Sequence, residues 1–315
     1  MKLAALDLKK WISLLSAGFL LAALVGHGRQ LLQLSLDGQG WLWLLLGVGL
    51  SLLSLVANGL ALGVVLQWLG LIPRWQALVL AYLQTNLRKY LPGGIWHLSA
   101  RVNLLRSAGA PLAAPTSGGV ALLAVLLDPL VAAVMALALV ALGGLQGGLG
   151  LLCLLPLLLL LPRWLNPLLA WLERRRAPEL ALENWQGLVD QSPRLPSYPW
   201  PLLLAQLGFV LLRFAGFACC VLAFDLQWSL EWTGWLAGFA LAWTAGLVVP
   251  GAPGGLGVFE AVLLLRLGFA VPEAPILAIA ISYRLVVSLA DLLAASTARL
   301  DAARINGGSS GVDRS

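Results

Sequence analysis

Ten ionisable side chains fall inside or at the ends of apolar runs in this chain: Arg88, Lys89, His97, Arg101, Asp128, Arg213, Glu260, Arg266, Arg284 and Asp291. A charge held in hydrocarbon costs roughly 2.5–3.5 kcal/mol on insertion scales, so such groups face a partner or a polar cavity. Asp128 precedes Pro129 in mid-run, and Arg213 stands near the centre of its own run. Arg284 and Asp291 are two helical turns apart and share a face. Setting His97 aside, six of the ten are basic (Arg88, Lys89, Arg101, Arg213, Arg266, Arg284) and three acidic (Asp128, Glu260, Asp291). A cavity so lined binds an anion, and at bilayer depth the natural anion is a lipid phosphate. Guanidinium groups grip that oxyanion with paired hydrogen bonds.

Two short signatures bear on the same site. Pro92-Gly93-Gly94-Ile95 and Pro253-Gly254-Gly255-Leu256 lie 161 residues apart (253 − 92), each at the start of a short apolar helix. Glycine and proline interrupting hydrophobic segments at corresponding places in two halves point to a transporter's substrate site. Helix N-termini just after Gly94 and Gly255 offer free N–H donors and partial positive charge, which suit a phosphate. The candidate binding residues are therefore Arg88, Lys89, Pro92, Gly93, Gly94, His97, Arg101, Asp128, Arg213, Pro253, Gly254, Gly255, Glu260 and Arg266. Arg88, Lys89 and Arg101 are assigned to the phosphate, with Arg213 and Arg266 secondary. Asp128 and Glu260 serve as counter-charges or as contacts to a cationic headgroup. His97 reads first as a hydrogen-bonded structural histidine. The alternative for Arg101 and Glu260 is a purely structural ion pair.

The elements that must position these residues follow from composition. Of 315 residues 60% are hydrophobic and 11% charged, and the mean hydropathy is +0.90, which excludes a soluble domain. The net charge of +6 sits at the ends of apolar runs and belongs to membrane orientation, not to nucleic acid. Apolar runs cover Trp11–Val25, Trp41–Leu69, Trp75–Leu91, Thr116–Leu142, Leu149–Leu161, Trp200–Phe224, Trp232–Val249, Val258–Val271 and Pro275–Ala298. They predict an all-α polytopic membrane protein with about eight transmembrane segments plus a re-entrant helical hairpin. The expected organisation is a single integral membrane domain over 1–305, a cytoplasmic loop over 163–199 and a disordered tail over 306–315. Half-repeats at about 41–142 and 200–298 are expected to be inverted: Pro92 follows Trp41 by 51 residues (92 − 41) and Pro253 follows Trp200 by 53 (253 − 200). Gly59/Gly63 and Gly234/Gly238 have the spacing of close helix contacts. Cys153, Cys219 and Cys220 lie in apolar runs and read as packing. No spacing calls for a metal or cofactor, and the chain has no H-E-x-x-H, nucleophile elbow or Walker loop.

At these residues the chain resembles a known family. Asn86-Leu-Arg-Lys-Tyr-Leu-Pro-Gly-Gly-Ile-Trp-His-Leu-Ser-Ala-Arg101, followed by Gly109, is similar to the first signature of the flippase-like membrane domain of lysylphosphatidylglycerol synthases. Pro250-Gly-Ala-Pro-Gly-Gly-Leu-Gly-Val-Phe-Glu260 is similar to the second, a glycine-rich turn leading to a glutamate. The resemblance covers residues 10–300 and implies a stand-alone member without the lysyl-transfer domain. Such a protein acts on membrane lipids, anionic or polyprenyl-linked, and leaves room for a lipid-synthesis or glycosyltransferase partner. The expected function is a flippase-like translocator of a lipid with a phosphate-bearing headgroup. The alternatives are an ion-coupled transporter of a small solute, with Asp128 or Glu260 carrying a proton, and a lipid-modifying enzyme using His97 and Glu260 as acid and base.

Basic residues set the expected orientation in a plasma (inner) membrane. Lys2, Lys9 and Lys10 mark the N-terminus, five arginines mark 163–199, and Arg299 and Arg304 mark the C-terminus. Asp225–Glu231 has no Lys or Arg. Both termini are therefore expected in the cytoplasm and Asp225–Glu231 outside. In a cysteine-free background, single cysteines should be modified from outside intact cells at Ser229 but not at Ser197; the reverse labelling contradicts this orientation.

Overall fold

The computed structural model describes residues 36–90, 96–107, 111–143, 149–176, 178, 193–195, 197–249 and 253–309. The expected first helix at Trp11–Val25 and the signature residues Pro92, Gly93 and Gly94 lie outside the described residues. The named elements are α1 (Gly38–Trp68), α2 (Trp75–Asn86), a 3₁₀ turn (Leu87–Tyr90), α3 (Trp96–Arg106), α4 (Gly118–Val140), α5 (Leu149–Leu152), α6 (Leu155–Leu159) and α7 (Pro162–Arg176). After these come α8 (Trp200–Ala223), α9 (Trp232–Val248), a 3₁₀ turn (Pro253–Gly255), α10 (Val258–Leu267) and α11 (Glu273–Ser309). No strand is formed among the described residues beyond one isolated bridge, Pro73 to Leu112.

Four of these helices, α1, α4, α8 and α11, are long and apolar enough to cross a membrane; a fifth crossing results if Gly150–Leu159 and Pro162–Arg175, bent by 83°, count as one span. The expected count of about eight is not supported. The reason is length: α2, α3, α9 and α10 hold 12, 11, 17 and 10 residues, against about 20 for a 30 Å hydrocarbon layer. Hydropathy alone does not register where glycine and proline stop a helix. Two other boundaries also differ. Arg163 to Arg176, expected as loop, lies in helix α7, which buries Leu165 and Leu169 and exposes Trp164 and Trp171. The backbone of α11 is helical through Ser309, so residues 306–309 continue the last helix and do not begin a tail.

Local sequence explains where the long helices start. Asp37 caps α1 by accepting from the Gly40 N–H at 2.6 Å, and Ser117 caps α4 by accepting from Val120. Their outer faces stay apolar: Leu42, Leu45, Leu53, Leu204, Leu211, Leu285, Leu289 and Leu292 are exposed. That is the exterior of a membrane protein, since in water so many exposed leucines would be costly. The α4 window is 72% buried and the α1 window 44%, so α4 is the interior helix.

The elements fall into two corresponding sets: α1, α2, α3, α4 and α8, α9, α10, α11. Exchanging the sets leaves the pattern of contacts unchanged. α1 packs on α11 as α8 packs on α4, α2 on α11 as α9 on α4, and each short helix on its neighbours in the same way. The most extensive contact joins α1 and α8 themselves. Along it Gly40 meets Ala223, Gly47 meets Gly216 and Cys219, and Ser54 meets Arg213. Numbers rise along α1 as they fall along α8, so the two run antiparallel. Small residues permit the approach: a Cβ on Gly216 would stand 2.6 Å from Ser51 Oγ. Gly208, on the same helix, has nothing within 4 Å of its Cβ position. Gly216→Leu should therefore lower the melting temperature of the solubilised protein, at a cost of about 1–3 kcal/mol from overpacking. Gly208→Leu should leave it equal or raise it; equal effects of the two would remove α1–α8 packing as the basis of the fold.

Candidate functional site

Asp291 is the anchor of the polar interior. It lies on α11, and its side chain is fully buried. One carboxylate oxygen accepts from Asn86 Nδ2 at 2.7 Å; the other accepts from the Tyr90 hydroxyl at 2.6 Å and pairs with Lys89 Nζ at 2.7 Å. All three partners come from the end of α2 and the 3₁₀ turn after it, where the first signature begins. The turn is thus held down by one acid from a helix far along the chain.

Arg101, on α3, closes over the same segment. Its guanidinium carbon stands 3.7 Å from the Tyr82 ring centroid, and it makes long contacts, at 3.4 Å, to Thr85 Oγ1 and Asn86 Oδ1. Cation–π contact of this kind compensates a buried charge only in part. Asp128, on α4, accepts from Gln206 Nε2 at 2.7 Å and lies within electrostatic reach of Arg101. Arg213, on α8, is 7% exposed and has one hydrogen bond, Nη1 to Ser54 Oγ at 3.3 Å. Its Nε has no partner.

The second signature is built differently. Gly254, Gly255 and Gly257 have φ of 60°, 73° and 78°, a left-handed path that side chains rarely follow. A Cβ on Gly255 would also lie 2.9 Å from the Gly246 backbone. Arg284 fills the turn from α11. Its Nε donates to Glu260 Oε1 at 2.8 Å, Nη2 to the Gly255 carbonyl at 2.7 Å, and Nη1 to the Gly254 carbonyl. Glu260 Oε2 accepts from the Gly257 N–H at 2.7 Å, fixing the start of α10. Both residues are consumed by the turn. Glu260 pairs with Arg284 and not with Arg101, as the structural alternative had it.

The remaining candidates separate. Arg88 is exposed on the first 3₁₀ turn. Arg266 lies in the last turn of α10, 5.9 Å from the Phe269 ring centroid. His97, in the first turn of α3, has Nδ1 without a partner, and its electrostatic neighbours are Arg101 and Lys89. Pro253 has its backbone in the second 3₁₀ turn. Asn86, Tyr90, Tyr82 and Gln206 also build the site without having been singled out. The first three carry no net charge and stand in or beside the first signature, so only their neighbours pointed to them. The polar cluster around the two breaks therefore contains Lys89, Arg101, Arg213 and Arg284 with Asp128, Glu260 and Asp291, and a further buried acid, Glu173, lies on α7.

Compared with known proteins, the chain matches no family model, and no curated protein matches it. Function rests on this geometry.

Removing Arg284 leaves two carbonyls and a buried carboxylate without their donor. Arg284→Ala should cost about 2 kcal/mol or more. Arg266→Ala should be near neutral. In a double-mutant cycle with Glu260→Gln, measured by denaturation in detergent, a coupling of about 1–3 kcal/mol is expected; additive losses would separate Glu260 from the turn.

Proposed function

We propose that this chain is a flippase-like membrane protein that binds and translocates a lipid with a phosphate-bearing headgroup. The single observation that carries the reading is a buried cluster of charged side chains between two corresponding sets of helices whose leading members run antiparallel. Helices that correspond yet run in opposite directions are the mark of inverted repeats, and transporters bind their substrates where such repeats meet. The short helices fit that reading as re-entrant hairpins: α9 and α10 meet at a glycine break, and α2 and α3 flank the first signature. Polar backbone at such breaks is tolerated in a membrane only where protein or a water-filled cavity covers it. Arg284 supplies that cover at the second break.

The resemblance to the flippase-like domain of lysylphosphatidylglycerol synthases agrees with this assignment. It adds anionic or polyprenyl-linked lipids as substrates and a lipid-synthesis or glycosyltransferase partner. Positive-inside asymmetry adds a plasma (inner) membrane location with both termini cytoplasmic. The enzyme reading is weakened by Glu260, whose two oxygens are both engaged by the glycine turn. A carboxylate held by a guanidinium and a backbone N–H would have to give up that ion pair to take a substrate proton.

One observation favours a second reading, ion-coupled transport of a small solute. Asp128 sits beside Pro129 in the interior helix, and its direct partner is the neutral Gln206 amide. A buried carboxylate without a directly bonded cation is suited to carrying a proton.

Reconstitution in liposomes separates the two. Headgroup-labelled phosphatidylglycerol in the inner leaflet should become accessible to an added reductant faster with protein than without, and Asp128→Asn should leave that rate largely intact. Solute uptake driven by a proton gradient and abolished by Asp128→Asn, with lipid exchange no faster than in empty liposomes, would replace the lipid reading by the second.

A further inference from the structure

The interior cations are not equivalent. Lys89 is paired with Asp291 at 2.7 Å. Arg284 is paired with Glu260 and two carbonyls. Arg101 lies on the Tyr82 ring, holds Thr85 and Asn86, and has Asp128 within electrostatic reach. Arg213 has Asp291 within electrostatic reach, but that carboxylate is already bonded to Asn86, Lys89 and Tyr90, so Arg213 is the least engaged of the four. Its single hydrogen bond goes to a neutral hydroxyl, and its Nε has none. A buried guanidinium presents five N–H donors, so most of this one's capacity is unused.

The groups around it are unused as well. Tyr283, on α11, is 3% exposed and is an electrostatic neighbour of Arg213, yet its hydroxyl has no partner. Ser51, one helical turn before Ser54 on α1, is fully buried, and its Oγ has no partner. Folded proteins leave few buried polar atoms unsatisfied, and each calls for an explanation. Here three of them, an N–H and two hydroxyls, belong to residues of α8, α11 and α1. These helices pack on one another, and α1 and α8 belong to different sets. All three groups can donate to an oxyanion.

We infer that Arg213, with Tyr283 and Ser51, forms the anion subsite of this protein, and that it takes a singly charged phosphodiester headgroup. The inference rests on the lipid reading above and gives it a residue and a charge. The subsite offers one cation, the Arg213 guanidinium. A phosphodiester carries one negative charge and neutralises it, whereas a phosphomonoester, at about −1.5 to −2 near pH 7, leaves buried negative charge over. Arg101, assigned to the phosphate on sequence grounds, is a positioning residue that holds the first signature against α3.

The test is thermal denaturation of the full-length protein in detergent, with three probes: dihexanoylphosphatidylglycerol, dihexanoylphosphatidic acid and inorganic phosphate. Phosphatidylglycerol should raise the melting temperature in a saturable way, and phosphatidic acid and inorganic phosphate should do so less. A larger shift with phosphatidic acid overturns the phosphodiester assignment. An equal shift with inorganic phosphate overturns the lipid as the source of the anion.

Arg213→Gln should not lower the melting temperature of lipid-free protein, because it removes a buried charge held by a single hydrogen bond, and it should weaken the phosphatidylglycerol response by roughly thirty-fold or more in concentration. Tyr283→Phe removes a hydroxyl that has no partner to lose. It should keep the lipid-free melting temperature and weaken the response several-fold, which serves even if the Arg213 variant does not fold. Variants that are destabilised without lipid yet respond like wild type would make Arg213 and Tyr283 structural and end this inference alone. No response of the wild-type protein to any lipid, together with no lipid exchange in liposomes, would end the lipid reading itself.

Discussion

Charge that is buried in a membrane protein must be matched within the protein, and here one helix does most of the matching. α11 carries Arg284 and Asp291 two turns apart. Arg284 ties down the second glycine turn, and Asp291 ties down the first 3₁₀ turn through Asn86, Lys89 and Tyr90. Both helix breaks thus depend on a single rigid element. Losing Arg284 would leave two carbonyls and the buried Glu260 carboxylate without their donor, and losing Asp291 would leave Lys89 without its acid, each at a cost above that of a surface ion pair. α11 also packs against α1, α2, α8 and α10, so its register sets the positions of both halves.

The two sets of helices correspond in order and in contacts, but their polar groups do not. In the second set the glycine turn is closed on itself by Arg284 and Glu260. In the first, the turn depends on an acid from the other set, and Arg101 is held by an aromatic ring and long contacts. The asymmetry puts rigidity on one side and exchangeable contacts on the other. On the proposed lipid reading the two halves would have different tasks: a fixed half and a half whose ion pairs can be traded for a ligand's. Between them, α1 and α8 cross antiparallel on small residues, which brings Ser51, Ser54 and Arg213 close to the line where the sets meet.

Much of this architecture was readable from residue types. The long apolar runs give α1, α4 and α8 nearly to their ends, and the start of α11, because unbroken hydrophobicity over more than about 20 residues has few other outcomes. The glycine pairs were read correctly as packing: a Cβ on Gly63 would meet the Trp75 ring, and one on Gly238 would meet Leu267. The short helices were overcounted as spans because composition does not reveal where a chain turns back. The charges were found, but not their partners. Asp291 and Asn86 are 205 residues apart and Arg284 and Glu260 are 24 apart, and no local pattern links such residues. That is why Arg88 and Arg266 were grouped with the site, and why Arg213 was placed behind Arg101.

The central claim is that the Arg213 guanidinium, held where the two sets meet, is there to receive a headgroup phosphate. A high-resolution structure of the full-length protein in nanodiscs containing phosphatidylglycerol tests it directly. Density for a phosphate against the Arg213 guanidinium, bounded by Ser51 and Tyr283 and continuous with acyl chains leading to the bilayer, is the expected result. A structure in which every lipid lies on the outer leucine faces, and Arg213 is paired with a carboxylate from the N-terminal 35 residues, would contradict it.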